Sequence, residues 1–183
     1  MSTNPWVRFL LGELPAVDAN RLAQKMGLSV IAQDPVIAGS FQGRYVRLTI
    51  QPTHGRNGRF IATIQVAVEI SSEIVLTVNR THPIAAFFRR HRSLPEQTGR
   101  TMVEEQFHIA TQPPPLRETL LNSASFCYAL LLFPLPAFII QKQCLQCQQV
   151  VTYTFIEEVV LELEKVNAFA AELEQIMTGL APA

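Results

Sequence analysis

The sequence predicts an α+β fold built on a mainly antiparallel sheet. Alternating apolar and polar residues occur in successive runs, short polar segments join these runs, and the chain ends in a long amphipathic pattern. Strands that come in runs, rather than alternating one by one with helices, are typical of α+β proteins. We therefore expect a β-meander and later strands to pack against a long C-terminal helix and one or two shorter helices.

The first half of the chain predicts a short helix followed by strands. Residues 17–26 are expected to be helical because Leu22 and Met26 are four apart and Gly27 suits a C-terminal cap. Gly39 and Gly43 favour a bulge or tight bend where the first strand begins. Period-two alternation then predicts an antiparallel meander with one dry and one wet face, over residues 44–51, 60–70 and 74–79.

The second half predicts four more strands and a helix. Residues 103–110 alternate, but Glu105 interrupts their apolar face, so we expect an edge strand. Leu116, Leu120 and Leu121 repeat with helical spacing after a run of three prolines, which are tolerated in a first helical turn. The remaining strands are expected at residues 126–133, 137–142 and 144–152.

The chain closes on its clearest helical pattern. Apolar residues recur every 3.6 positions between Phe155 and Met177, glutamates occupy much of the remaining surface, and Gly179 ends the helix. A length of 183 residues suits a single domain, residues 1–183. Because a helix followed by a strand run occurs twice, a pseudo-repeat with halves 17–112 and 113–180 is an open alternative.

The formal net charge is zero, but the charges are separated along the chain. Residues 1–100 contain twelve basic and six acidic side chains, whereas residues 101–183 contain three basic and nine acidic ones. A neutral balance argues against a dedicated nucleic-acid-binding protein. We expect the opposed regions to attract each other within the fold, between copies of the chain or with a protein partner.

No transmembrane segment is predicted. The most apolar stretch, residues 126–140, has 15 uncharged residues, and Pro134 and Pro136 interrupt it. A spanning helix needs roughly 20 residues, so we interpret this stretch as core strands. The N-terminus lacks the long apolar run of a secretory signal and the three cysteines are odd in number, which predicts a cytoplasmic protein.

The cysteines and histidines predict neither a metal site nor a cofactor. Cys144 and Cys147 have CxxC spacing, but zinc usually needs four ligands and no second pair is present. In a strand, residues three apart point to opposite faces, so these thiols are expected to be structural. The four histidines lack the spacing of a helical metal pair, namely His54, His82, His91 and His108.

Two groups of residues are candidate functional sites. Arginine binds phosphate and carboxylate groups with two parallel hydrogen bonds, and five arginines are candidates for binding an anion or a partner: Arg44, Arg47, Arg89, Arg90 and Arg92. Glu104 and His108 are four apart and are candidates for a polar cleft, although no nucleophile accompanies them.

The motif Gly39-Ser-Phe-Gln-Gly43-Arg44, a later Thr98-Gly99, an FxI strand and a Leu/Glu-rich final helix resemble a family of bacterial α+β proteins. The resemblance spans residues 36–176 at the level of pattern. Where that family has Asp after the later glycine, this chain has Arg100, and Val103-Glu104 stands where Phe-Asp is expected. The family has no assigned activity, so the resemblance implies an architecture and no reaction.

These observations favour a non-catalytic interaction or ligand-binding module. One alternative is a small enzyme with a polar cleft near His108, Glu104 and Arg44 or Arg47, which requires these groups to converge. Another is an anion or membrane-surface binder that uses the segment from Arg80 to Arg92, where Phe87 and Phe88 lie beside the arginines.

Overall fold

The computed structural model describes residues 16–31, 36–52, 59–81, 99–132, 135, 137–152 and 156–180. These ranges contain eight strands in one antiparallel sheet and five helices, the last of which is long. The predicted α+β class is therefore confirmed. None of the described helices is long and apolar enough to span a membrane.

The chain divides into two compact units. The first comprises residues 1–67 and 146–167, and the second comprises residues 68–145 and 168–183. The prediction of a single domain over residues 1–183 stays a prediction, as does the alternative of two halves, 17–112 and 113–180.

The first unit contains a helix and most of the strands. In chain order these elements are α1 (Ala16–Met26), β1 (Ser29–Ile31), β2 (Val36–Phe41), β3 (Arg44–Pro52) and β4 (Arg59–Ala67), followed by most of β8 (Cys144–Thr152). Strands β1 to β4 are neighbours in order and β4 lies beside β8. The helix predicted at residues 17–26 and the strand predicted at 44–51 are confirmed.

The second unit contains the shorter helices. Its elements are β5 (Val75–Arg80), α2 (Gly99–Gln106), β6 (Phe107–Gln112), α3 (Pro115–Asn122), α4 (Ala124–Leu132) and β7 (Ala137–Gln141). Strand β5 pairs antiparallel with both β6 and β7. The long helix α5 (Ile156–Leu180) belongs to the first unit up to residue 167 and to the second from residue 168.

The predicted meander is correct for its first two strands and wrong for the third. Strand β3 pairs with β4 and buries Val46, Leu48 and Ile64 on one face. The strand predicted at residues 74–79 exists as β5, but it pairs with β6 and β7. The meander instead extends in the other direction, through β2 and β1.

The strand predicted at residues 126–133 is also wrong, because helix α4 occupies this stretch. The backbone N–H of Phe126 donates to Ser123 Oγ at 3.3 Å, as expected of an N-terminal capping serine. The sequence in α4 is apolar on all sides, so it has neither helical nor strand periodicity to identify it. Ser123, as a capping residue before the apolar run, was therefore the sequence feature that indicated a helix.

The strand predicted at residues 103–110 begins four residues too early. Residues up to Gln106 belong to α2, and β6 starts at Phe107. Arg100 pairs with Glu104 four residues later, which is a helical spacing. Glu105 did not fit the alternation because it lies in this helix.

The two halves of α5 carry buried side chains in their own units. In the first unit, Asn167 Nδ2 donates to Gln42 Oε1 at 2.9 Å, while the buried Asn167 Oδ1 has no hydrogen-bond partner among the described residues. In the second unit, the Phe169 ring packs edge-on against Phe138 of β7, with 5.1 Å between centroids. This contact confirms that the sheet packs against the C-terminal helix.

Two hairpin turns have the same backbone conformation but different residues. Gln42 and Gly43 connect β2 to β3 with φ of 48° and 84°, and Lys142 and Gln143 connect β7 to β8 with φ of 50° and 58°. Positive φ at both central residues is typical of the type I′ hairpin turn. Glycine adopts this conformation at no steric cost, whereas glutamine does not.

We expect Gln143→Gly to raise the free energy of unfolding by about 1 kcal/mol, because it removes the steric cost of left-handed backbone at that position. The matched change Gly43→Gln at the equivalent position of the other turn should lower it by a similar amount. Urea denaturation measures both. A Gln143→Gly variant less stable than the parent chain would contradict the assigned turn geometry.

Candidate functional site

Among the predicted anion-binding arginines, the structure describes Arg44 and Arg47, and these two lie on opposite faces of β3. Arg44 pairs with Phe41 in the sheet register and is half-buried, whereas Arg47 lies between Ala38 and Gln65 and is exposed. Residues three apart in a strand point to opposite faces. Arg44 therefore lies on the buried face of β3 with Val46, and Arg47 lies on the polar face. The expectation that both arginines lie on the polar face of the meander is wrong for Arg44.

The other candidates lie in the second unit or outside the described residues. Glu104 is on α2 and is half-buried, and His108 is exposed on β6, opposite Asn79 of β5. Arg44 and Arg47 belong to the first unit. Arg89, Arg90 and Arg92 lie outside the described residues, so their role stays a prediction.

Glu104 belongs to a four-residue ion network. Its Oε1 is 3.5 Å from Arg100 Nη2 and 3.5 Å from Arg117 Nη2. Glu118 completes the network, with Oε2 at 2.9 Å from Arg100 and Oε1 at 2.7 Å from Arg117. Two guanidinium groups thus neutralise two carboxylates, and the hydrogen bond from Arg100 to Glu118 is the first cause of a raised Arg100 pKa.

The network holds α2, α3 and β6 together. Arg100 of α2 also donates to Asn122 Oδ1 at 2.6 Å, at the end of α3. Arg117 of α3 donates through Nε to the Ile109 carbonyl of β6 at 3.3 Å. Each arginine therefore connects its own helix to another element, and together they fix the start of α2 relative to the end of α3.

A pocket of about 630 Å³ lies beside this junction, within the second unit. The start of α2, the end of α3 and one side of α4 form its wall. Most of the lining is apolar, and three lining residues carry strong polar groups: Arg100, Asn122 and Ser125. The complete lining is Gly99, Arg100, Leu121, Asn122, Ala124, Ser125, Cys127, Tyr128 and Leu131. Predominantly apolar lining with a few polar groups, at several hundred Å³, is typical of small-molecule sites.

Helix α4 presents apolar side chains to solvent next to the pocket. Tyr128 is 64% exposed and Leu132 is 55% exposed, and they are one helical turn apart. The other side of the helix is buried through Phe126, Ala129 and Leu130. A helix that is apolar all round is normally covered on every side, so this exposed side indicates a contact surface.

Cys127 lies in the pocket wall but is buried. Its Sγ is 3.4 Å from the Leu121 carbonyl oxygen. Burial raises the pKa of the Cys127 thiol, Arg100 lowers it and Glu104 raises it again. A thiol that is protonated and buried is poorly suited to act as a nucleophile.

The CxxC pair has the geometry that its strand predicts. Cys144 is half-buried and Cys147 is buried on the face of Leu145, so the two thiols point to opposite faces of β8. Cys127, Cys144 and Cys147 form no disulfide bonds with one another. Across the parts of the chain that the structure describes, no three His, Cys, Asp or Glu side chains lie close enough to hold a metal ion.

Sequence reasoning missed the pocket because it assigned residues 126–133 to a strand. Arg100, Arg117 and Tyr128 were not among the predicted site residues. The Arg100 and Glu104 pair at i, i+4 and the capping Ser123 before an apolar run were the available signals for the local helices. The pairing of Arg100 with Glu118, 18 residues away, has no local sequence signal.

No model of a protein family matches the sequence, and no curated protein matches it. Among solved structures, the chain is similar to the crystal structure of the mycobacterial trehalose monomycolate transport factor A, TtfA, with a TM-score of 0.54 and 7% sequence identity. The match covers 90% of this chain and 95% of that chain. The likeness at this identity is one of fold.

The buried thiol of Cys147 predicts a loss of stability at high pH. Burial, followed by the charge of Glu162, raises the pKa of Cys147 from an ordinary value near 9 to about 12. The unfolded thiol ionises first, so its contribution to the free energy of unfolding is constant below pH 9. It should then fall by up to about 1.4 kcal/mol per pH unit until about pH 12.

Urea denaturation between pH 8 and 11 measures this effect as the difference between the parent chain and Cys147→Ala. Cys144→Ala is the matched control, since Cys144 is half-buried and lies on the other face of the strand. If the parent chain and Cys147→Ala lose stability equally as the pH rises, the buried thiol does not control this loss.

Proposed function

We propose that this protein is a non-catalytic binding module and that the pocket beside α4 is its ligand-binding site. The observation that carries the proposal is the composition of the pocket wall. Apolar side chains cover most of it, and the one charged residue in it, Arg100, pairs with Glu104 and Glu118. Such a site gains binding free energy chiefly by burying apolar surface.

The geometry gives less support to the enzyme alternative. Glu104 forms ion pairs with two arginines, and His108 lies on an exposed strand position. A general acid–base pair needs side chains within hydrogen-bonding reach of a common reacting group. Ser125 and Cys127 are the residues of nucleophile type in the pocket wall, and the raised pKa of Cys127 opposes thiolate formation.

The fold comparison is compatible with a binding role. The protein with the similar fold is named a transport factor, and binding without chemical change is what such a role requires. We extend the proposal to a cytoplasmic location, because an odd number of cysteines implies no closed set of disulfides, as suits a reducing compartment.

A protein partner or a second copy of the chain remains part of the proposal through the opposed charge regions. For Arg100 the acidic partners lie in its own unit, at Glu104 and Glu118 rather than on α5. Because Arg100 is neutralised within the chain, we propose that it contributes little to attraction between copies of the chain.

The native chain should bind the neutral apolar dye N-phenyl-1-naphthylamine with an increase in dye fluorescence, because the pocket removes the dye from water. Ala124→Trp should reduce the affinity at least about tenfold, because it fills the pocket from an exposed position at the start of α4.

Ala168→Trp is the matched control, since Ala168 is also an exposed alanine on a helix of the second unit and is not part of the pocket wall. It should leave the dye affinity unchanged. Equal dye binding by the parent chain and Ala124→Trp would refute the proposed binding site.

A further inference from the structure

We infer that the pocket binds the alkyl or acyl chain of an amphiphile whose head group carries no net charge. The inference rests on the proposed function and names the class of its ligand. It follows from three properties of the second unit: the apolar track along α4, the small extent of that track, and the cancellation of charge at the pocket rim.

The apolar track continues from the pocket along the helix. Leu131 lines the pocket, and Tyr128 and Leu132 extend the same apolar surface into solvent. Positions 124, 128, 131 and 132 share one side of a helix because residues three and four apart are neighbours. A flexible hydrocarbon chain can follow such a track, with one part enclosed by the pocket and another lying against Tyr128.

The size of this surface favours a single chain molecule over a folded partner. Two large apolar side chains of α4 are strongly exposed, and both lie on this one side. A stable protein interface uses roughly 20–30 residues on each side. A site of about 630 Å³ falls in the range of pockets for small molecules.

The charges beside the pocket favour an uncharged head group, because Arg100, the charged residue of the lining, belongs to the ion network. Arg100 and Arg117 face Glu104 and Glu118 at 2.7–3.5 Å, so the cluster has two positive and two negative groups. A carboxylate ligand would have to compete with Glu118 for Arg100, and a cationic ligand would have to displace Arg100 from Glu118. Burying a charge that gains no partner is costly.

The rim nevertheless offers hydrogen bonds to a neutral head group. Asn122 Oδ1 accepts from Arg100, which assigns the amide nitrogen of Asn122 as a donor. The Ser125 hydroxyl also lines the pocket, near the start of α4. Donors of this kind suit the ester carbonyl or hydroxyl groups of an acylglycerol.

Isothermal titration calorimetry of the full chain with three twelve-carbon amphiphiles tests the inference. The probes are monododecanoylglycerol, dodecanoate and dodecyltrimethylammonium, each below its micellar concentration and at low salt. The neutral probe should bind at least about tenfold more tightly than either charged probe, because only the charged head groups lose solvation without gaining a partner. Binding of dodecanoate as tight as that of the neutral probe would overturn the inference.

A charge-changing variant gives a second readout. Glu118→Gln leaves Arg100 with one carboxylate, so the affinity for dodecanoate should rise about two- to fivefold relative to the affinity for the neutral probe. Glu73→Gln is the matched control, because Glu73 is an exposed glutamate in the same unit outside the network. No change in dodecanoate affinity on Glu118→Gln would refute the charge argument.

The two proposals fail in different ways. If dye binding is sensitive to Ala124→Trp but the three amphiphiles bind equally, the pocket is a binding site and the inferred ligand class is wrong. If the neutral amphiphile binds and Ala124→Trp does not weaken it, the site proposed for the module is wrong.

Discussion

A single apolar stripe along α5 supplies buried side chains to both units. Val159, Leu163 and Val166 are buried in the first unit, and Phe169 and Leu173 are buried in the second. Their spacing of three and four residues keeps them on one side of the helix. Burial of each such side chain contributes about 1.5–3 kcal/mol, so these side chains of α5 are together a large source of stability.

In the second unit, α5 contributes to the apolar interior, and the short helices form the wall of the pocket. The apolar interior there comes from Phe138, Phe169 and the buried side of α4. Helices α2, α3 and α4 add a wall in which polar contacts, chiefly those of Arg100 and Arg117, set the geometry. The contacts between the start of α2 and the end of α3 therefore shape the pocket. The exposed apolar side chains of α4 determine which ligands it favours.

Periodicity predicted the elements whose two faces differ in polarity. Val46, Leu48 and Ile50 alternate with polar neighbours, and the structure buries all three on one face of β3. The stripe of α5 was equally clear. The same reasoning failed for α4, because Phe126, Ala129 and Leu132 lie in a run without polar interruption, where a buried strand and an apolar helix look alike.

The sequence also did not predict which residues far apart in the chain would pair. Nothing local in the sequence indicates that β5 pairs with β6 and β7, or that Arg100 reaches Glu118. The charge separation along the chain predicts attraction between the basic and acidic regions, and the ion pair of Arg100 with Glu118 joins one residue of each region. Charge counts along the chain carry no information on which acidic element lies within reach of this arginine.

Photochemical cross-linking tests most directly whether the α4 pocket holds a hydrocarbon chain. A neutral acylglycerol with a diazirine in its chain would be bound to the full protein, irradiated and mapped by mass spectrometry of proteolytic fragments. If the chain lies in this pocket, we expect labelling to concentrate on residues 121–132, and most strongly on Tyr128 and Leu131. Labelling concentrated instead on other exposed apolar residues, such as Tyr45 or Val150 of the first unit, would contradict it.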